Sequence, residues 1–125
     1  MRILMTGATG FIGQPLCEAL AEKGHELLVV SRSPDKACDA LPEGTDARVA
    51  VADFADAAPE AVINLAGEPI AEGRWGDEKK RKIVESRVEI TRAVVDLCGR
   101  LETAPRVLVN ASAVGYYGDQ GDRDV

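Results

Sequence analysis

Gly7, Gly10 and Gly13 stand three residues apart inside the segment TGATGFIG. A glycine-rich turn that opens a helix can seat a pyrophosphate. The first glycine permits the tight turn, the second lets backbone approach the phosphates, and the third lets the helix pack closely on the preceding strand. The helix N-terminus adds free N–H groups and a partial positive charge. On this reading Gly7, Thr9, Gly10, Phe11, Ile12 and Gly13 hold the phosphates of a dinucleotide. The competing reading, an ordinary turn, is disfavoured by context, because an apolar run precedes the glycines and a helical pattern follows them. Where NAD is preferred, an acidic residue about 20 positions further on takes the ribose hydroxyls. Here that place holds Ser31, Arg32 and Ser33. A guanidinium pairs with a 2′-phosphate and stacks on adenine, and no carboxylate stands at the strand end to repel that phosphate. NADP is therefore expected, with NAD as the alternative. A solvated Arg32 is the competing reading, and Asp35 in the nearby loop weakens the inference slightly.

The elements that must position these residues follow from apolar periodicity. Residues 2–6 read as a strand. Ile12, Leu16, Ala19 and Leu20 then recur at helical spacing up to Gly24, with Pro15 tolerable in the first turn. Residues 26–31 form a second strand without alternation, as expected where helices cover both faces of a parallel sheet. Residues 33–46, with Pro34, Pro42 and Gly44, read as loop with at most a short helix. Residues 47–52, 61–66 and 106–111 supply three more strands. Between the last two runs a long helix from Asp77 to Cys98, Asp77 its N-cap and Gly99 its stop. Ile83, Val84, Val88, Thr91, Val94, Val95 and Cys98 form its expected apolar face. The predicted fold is α/β, a Rossmann-type doubly wound parallel sheet of about five strands with right-handed crossovers. Residues 1–125 are expected to form one nucleotide-binding domain.

Bulk properties narrow the partners. The 125 residues are 46% hydrophobic and 29% charged, which suits a globular domain. A net charge of −6 argues against a nucleic-acid or anionic-membrane surface. No apolar run approaches the roughly 18 residues of a membrane span, and the first residues lead into a strand and a glycine turn rather than a signal peptide. Cys17, Cys38 and Cys98 are widely spaced, with no CxxC. That pattern suggests neither a disulfide framework nor a zinc site and fits the cytoplasm.

The segments TGATGFIG, INLAGEPI and SAVGYYG, with EGRW and the helix EKKRKIVESRVEITRAVV between them, resemble the extended-type short-chain dehydrogenases/reductases, in particular their NAD-dependent epimerase/dehydratase or sugar-nucleotide epimerase-like branch. The resemblance covers essentially the whole chain. Members of that family run to about 300 residues, the upper range for such a domain. They usually carry a YxxxK catalytic motif beyond the fifth strand, so the resemblance implies that these 125 residues are the front part of a longer protein with its C-terminal part missing. It also implies an adenine contact at Asp53 and Phe54, although an exposed loop Asp and a core Phe fit the pattern equally well. Leu65, Ala66 and Gly67 would pass the cofactor's ribose and pyrophosphate, where small residues allow close approach. Ser112, at the end of the fifth strand, would be the catalytic Ser that hydrogen-bonds a substrate oxygen.

Two departures from the family pattern stand out. Counting back the usual five positions from Gly118 reaches Ala113 rather than Ser112, so one extra loop residue is needed. In the long helix Arg87 stands where such enzymes often have an Asn, whose proton-relay role Arg87 cannot take over.

Other chemistry-bearing residues have simpler readings. His25 lies at the turn between the first helix and second strand, opposite the strand ends that bind ligands. Asn110, Ala111 and Ser112 match a glycosylation sequon but fall in a strand. Lys79, Lys80, Arg81 and Lys82 read as a solvated helix face. Trp75, beside Arg74, either closes over a ligand or packs on the long helix. The function expected is the NADP(H)-binding part of an oxidoreductase or sugar-nucleotide epimerase-like protein acting on a small molecule. The alternative is a non-catalytic NADP-sensing or interaction module. Homo-oligomer formation through the long helix is compatible with either.

Overall fold

The computed structural model of the chain describes residues 1–66 and 76–112. The five strands β1 (Arg2–Thr6), β2 (Glu26–Val30), β3 (Asp46–Arg48), β4 (Ala61–Asn64) and β5 (Val107–Asn110) form one parallel sheet in the order β3-β2-β1-β4-β5. Helix α1 (Gly13–Glu22) follows β1, α2 (Pro34–Ala40) follows β2, and α3 (Asp77–Arg100) lies between β4 and β5. The strand order reverses direction between β1 and β4. In open α/β sheets that switch point marks the crevice where ligands bind, at the carboxyl ends of the strands.

Each inner strand is apolar on both sides because both faces of the sheet are covered. Ile3, Met5, Leu27, Val29 and Ala61 face one core, packed with Cys17 of α1 and Ala37 of α2. Leu4, Leu28 and Val62 face the other, packed with Val51, Phe54, Val94 and Leu97. The uninterrupted apolar runs of β1 and β2 are thus the sequence image of a two-sided sheet.

The third strand and the long helix differ from the expected elements for physical reasons, and the segment after β2 fills the short-helix alternative. The third strand ends at Arg48 rather than running to residue 52, and the chain then makes a 3-10 turn over Val51–Phe54. That turn puts Val51 and Phe54, three residues apart, on one side, and both are buried. Helix α3 starts after Gly76 and passes through Gly99 to Arg100, with Asp77 and Glu78 in its first turn, where carboxylates favour the helix dipole. Its buried side is set by Val94 and Leu97, flanked by Ile90, Ala93, Cys98 and Leu101. Val84, Val88 and Val95, expected on that face, are 59%, 39% and 53% exposed and form a separate outer stripe. The polar segment after β2 forms the short helix α2, with Pro34 in its first turn and Ala37 buried.

Candidate functional site

The glycine turn joins β1 to α1 at the switch point. Gly7 has a φ of +69°, and a Cβ there would lie 2.7 Å from the Leu65 carbonyl carbon and 2.8 Å from the Ala66 nitrogen. The turn therefore lies directly against the end of β4, and only glycine fits. A Cβ on Gly13 would collide with the Gly7 carbonyl oxygen and come within 2.5 Å of that of Ala8, so α1 begins in backbone contact with the turn. Gly10 differs: among the described residues its Cβ would meet only the Gly7 oxygen, at 3.3 Å.

The turn is internally braced. The Gly10 N–H donates to the Gly7 carbonyl at 3.2 Å, the Gln14 N–H to Gly10 at 3.1 Å, and the Gln14 side-chain amide to the Thr9 carbonyl at 2.8 Å. Ile12 is the N-cap of α1 and supplies no side-chain cap. In the first turn of α1 the Gln14 and Leu16 N–H groups already donate to the Gly10 and Ile12 carbonyls and Pro15 has none, so among the described residues the Phe11, Ile12 and Gly13 N–H groups are those left for an anion or water. Phe11 is 97% and Ile12 64% exposed at the crest of the turn.

Arg32 follows β2 and is exposed, with no ion pair among the described residues. One strand over stands a second guanidinium that sequence reasoning missed. Arg48 ends β3, and its carbonyl accepts the Ser31 N–H at 2.9 Å. Its side chain pairs with Asp46 and Asp56, each at 2.9 Å, and donates to the Asp53 carbonyl at 2.5 Å. It also lies over the Phe54 ring, 4.7 Å from the centroid. The bonds to Asp46 and then Asp56 hold the guanidinium firmly charged, and the Arg48 bond holds the Asp56 carboxyl below its ordinary range. The sequence signal was an Arg two residues after one Asp and eight before another.

The two adenine-side candidates separate in the fold. Asp53 is exposed at the 3-10 turn, one carboxylate oxygen accepting the Ala50 N–H at 3.0 Å. Phe54 is fully buried among Leu4, Leu28, Val62, Val94 and Leu97, so its ring is part of the core.

Polar groups line the other side of the switch point. Thr6 and Asn64, the last residues of β1 and β4, are buried at 1% and 4% exposure. The Thr6 hydroxyl donates to the Asn64 side-chain carbonyl and accepts the Ala66 N–H at 3.2 Å. The Asn64 amide donates to Asn110 Oδ1 at 2.7 Å and to Thr91 Oγ1 at 3.2 Å. Every polar atom of this buried pair is satisfied, as low dielectric demands. Leu65 and Ala66 are half-buried beside the glycine turn, and Ser112, two residues past β5, is exposed at the same end of the sheet. Gly67, Arg74, Trp75 and the SAVGYYG segment beyond Ser112 lie outside the described residues.

His25 sits at the opposite end of the sheet, its Nδ1 2.9 Å from the N-terminal amine. Among the described residues no group of three His, Cys, Asp or Glu side chains is placed to hold a metal, and no helix is long and apolar enough to cross a membrane.

Comparison with known proteins agrees with this arrangement. The chain is 41% identical to the Arabidopsis thaliana "Epimerase family protein SDR39U1 homolog, chloroplastic" over 94% of its own length and 36% of that protein's. It is 38% identical to the epimerase family protein YfhF of Bacillus subtilis, covering 94% of this chain and 39% of the relative. The crystal structure of human epimerase family protein SDR39U1 with NADPH superposes with a TM-score of 0.75 at 31% identity, covering 94% of this chain and 38% of that one. The chain thus spans little more than a third of the length of the relatives it matches. The model of the NAD dependent epimerase/dehydratase family matches residues 3–124, and the chain belongs to that family.

Proposed function

We propose that the chain binds a dinucleotide, NADP(H) in preference to NAD(H), as the nucleotide-binding part of an oxidoreductase or sugar-nucleotide epimerase-like protein acting on a small molecule. The observation that carries this reading is the unequal use of the three glycines. Gly7 and Gly13 are required by the protein's own backbone, whereas among the described residues Gly10 meets only the Gly7 oxygen and borders the unbonded N–H groups of Phe11, Ile12 and Gly13. A backbone cradle that a side chain would fill is what a pyrophosphate needs. The NADPH in the human structure supports the choice of ligand.

Each residue then has a role within this proposal. The backbone of Thr9, Gly10, Phe11 and Ile12 faces the pyrophosphate. Arg32, with no ion pair among the described residues, meets the 2′-phosphate, while Arg48 is already held by two carboxylates. Asp53 is left as the side chain at the adenine edge. Leu65, Ala66 and Gly67 pass the nicotinamide-side ribose, and Ser112 hydrogen-bonds the substrate oxygen. The bound nicotinamide would supply hydride transfer, and the protein supplies orientation and proton handling. Within these residues neither Tyr116 nor Tyr117 has a Lys four positions on, since Gln120 and Gly121 stand there. A second reading, nucleotide sensing without turnover, uses the same site and differs only in lacking a Tyr-Lys pair from the whole protein. The three free thiols suit a reducing compartment, and cytoplasmic placement belongs to the same proposal.

Calorimetric titration of NADPH and NADH tests the proposal. The expected result is tighter NADPH binding, lost on Arg32→Ala by about tenfold or more, the scale of one charge-assisted pair. Equal affinity for the two nucleotides, or an Arg32→Ala variant that keeps the preference, overturns it.

A further inference from the structure

Thr6, Asn64 and Asn110 end three neighbouring strands, β1, β4 and β5, and their side chains form one directed run of hydrogen bonds. The Ala66 N–H donates to the Thr6 hydroxyl, which donates to Asn64 Oδ1. Asn64 Nδ2 donates to Asn110 Oδ1 at 2.7 Å, and Asn110 Nδ2 donates to the Ala111 carbonyl at 3.1 Å. The run begins beside Gly7 and ends on the peptide group that carries Ser112. The backbone supports the same join, since the Ala111 N–H donates to the Asn64 carbonyl at 2.9 Å. In each amide the oxygen accepts from the preceding member and the nitrogen donates to the next, so no amide can turn over without breaking two bonds. The links among Thr6, Asn64 and Asn110 are buried or partly buried, where such a chain is mutually polarised, and the last link, from Asn110 to Ala111, is at the surface.

We propose that Asn64 and Asn110 are positioning residues that lock the Ser112 peptide to the glycine turn, so that nucleotide binding at the turn is felt at Ser112. The inference rests on the nucleotide-binding reading above and adds to it a residue, Asn110, whose only apparent meaning in the sequence was a sequon. The link is lateral. Adjacent strands lie about 4.8 Å apart, so β5 is roughly 10 Å from the turn at β1, beyond the direct reach of a phosphate seated there. An effect at Ser112 must then travel through the protein.

Two substitutions separate the parts of the chain. Asn110→Asp keeps the oxygen that accepts from Asn64 but replaces the donor to Ala111 with an acceptor. Thr91→Val removes only the side branch from Asn64 to α3 and preserves shape. The probe is ADP, which ends at the pyrophosphate and carries no nicotinamide ribose, titrated into the 15N-labelled whole protein. The expected result is that the Ser112 amide resonance moves together with those of Gly10 and Phe11. In Asn110→Asp the Ser112 response is lost while the ADP dissociation constant stays within about threefold, well under the effect of one lost phosphate contact. In Thr91→Val the response persists, which a general loosening of the fold would not allow. Movement at Gly10 and Phe11 without movement at Ser112 in the wild-type chain overturns the link and leaves nucleotide binding intact. An unchanged Ser112 response in Asn110→Asp does the same. Absence of any response at Gly10 and Phe11, to ADP and NADPH alike, overturns the nucleotide-binding proposal itself and the link with it.

Discussion

At position 13 an added methyl group would press into two carbonyl oxygens of the turn, while at position 10 it would meet, among the described residues, only one, at 3.3 Å. The two substitutions should therefore fail differently. Gly10→Val is expected to abolish NADPH binding while the circular-dichroism spectrum keeps its helical content, because the branched side chain fills the pyrophosphate seat and leaves the core alone. Gly13→Val is expected to lose the cooperative melt, since α1 cannot back away from β1 without uncovering Cys17, which is fully buried. A Gly10→Val variant with wild-type affinity would show that the turn at Gly10 is not a phosphate seat. At this scale the site was unevenly legible. Glycine spacing located the turn between β1 and α1, while the role of Arg32 at the end of β2 belongs to the proposal above. Asn64 stayed hidden because its partners Thr6, Thr91 and Asn110 lie 58, 27 and 46 residues away and only the fold brings them together, and Arg48 because its reach to Asp56 depends on the 3-10 turn between them. Phe54 was ambiguous in the sequence because an aromatic after a strand suits either a ligand or a core, and only the 3-10 turn decides between them.

The segment after β3 shows how an element can be shaped by one clamp. ARVAVA alternates like a strand, yet pairing with β2 stops at Arg48, whose side chain reaches forward to Asp53 and Asp56. The chain coils there, which sends Val51 and Phe54 into the core on the α3 side of the sheet. Phe54→Ala should cost about 3–5 kcal/mol, the usual loss for truncating a fully enclosed aromatic, and chemical denaturation would measure it. A cost below about 1 kcal/mol would place the ring at the surface instead. The same clamp makes stability depend on pH. Asp56 is held low chiefly by the Arg48 bond, and Glu60 chiefly by the Arg2 N–H it accepts at 2.8 Å. Both folded values lie below the unfolded ones, near 4, so both contributions are present in full above that pH. They are lost as pH falls through the lowered folded values. Melting temperature should therefore be level from neutrality to about pH 5 and drop below about pH 4, with Asp56→Asn plus Glu60→Gln flattening the drop. An unchanged acid limb in that double variant would assign the sensitivity to other groups.

For the whole molecule, the apolar strands were readable because a sheet covered on both faces forces uninterrupted apolar runs, whereas their order in the sheet was not, since such runs carry no information on which strands pair. The outer surface of α3 was not readable either, because Val84, Val88 and Val95 share a helical stripe that periodicity alone cannot distinguish from a buried one. That stripe and strand β5, at the edge of the described sheet, are two exposed apolar surfaces among the described residues. Val107, Leu108 and Val109 are 46%, 42% and 49% exposed, and since successive strand residues point to opposite sides, both faces of β5 are open. An exposed apolar edge strand is a template for pairing with another chain. A polypeptide of these 125 residues is therefore expected to self-associate, with a concentration-dependent sedimentation coefficient. Val107→Lys with Val109→Lys tests the edge strand, and Val88→Lys with Val95→Lys tests the helix, so the pair that restores a monomer identifies the surface. The same polypeptide should show no NADPH-dependent reductase or epimerase turnover, because Ser112 has no Tyr-Lys pair beside it within these residues to move a proton. A monodisperse wild-type monomer would overturn the first expectation, and turnover that copurifies with the chain and disappears in Ser112→Ala would overturn the second.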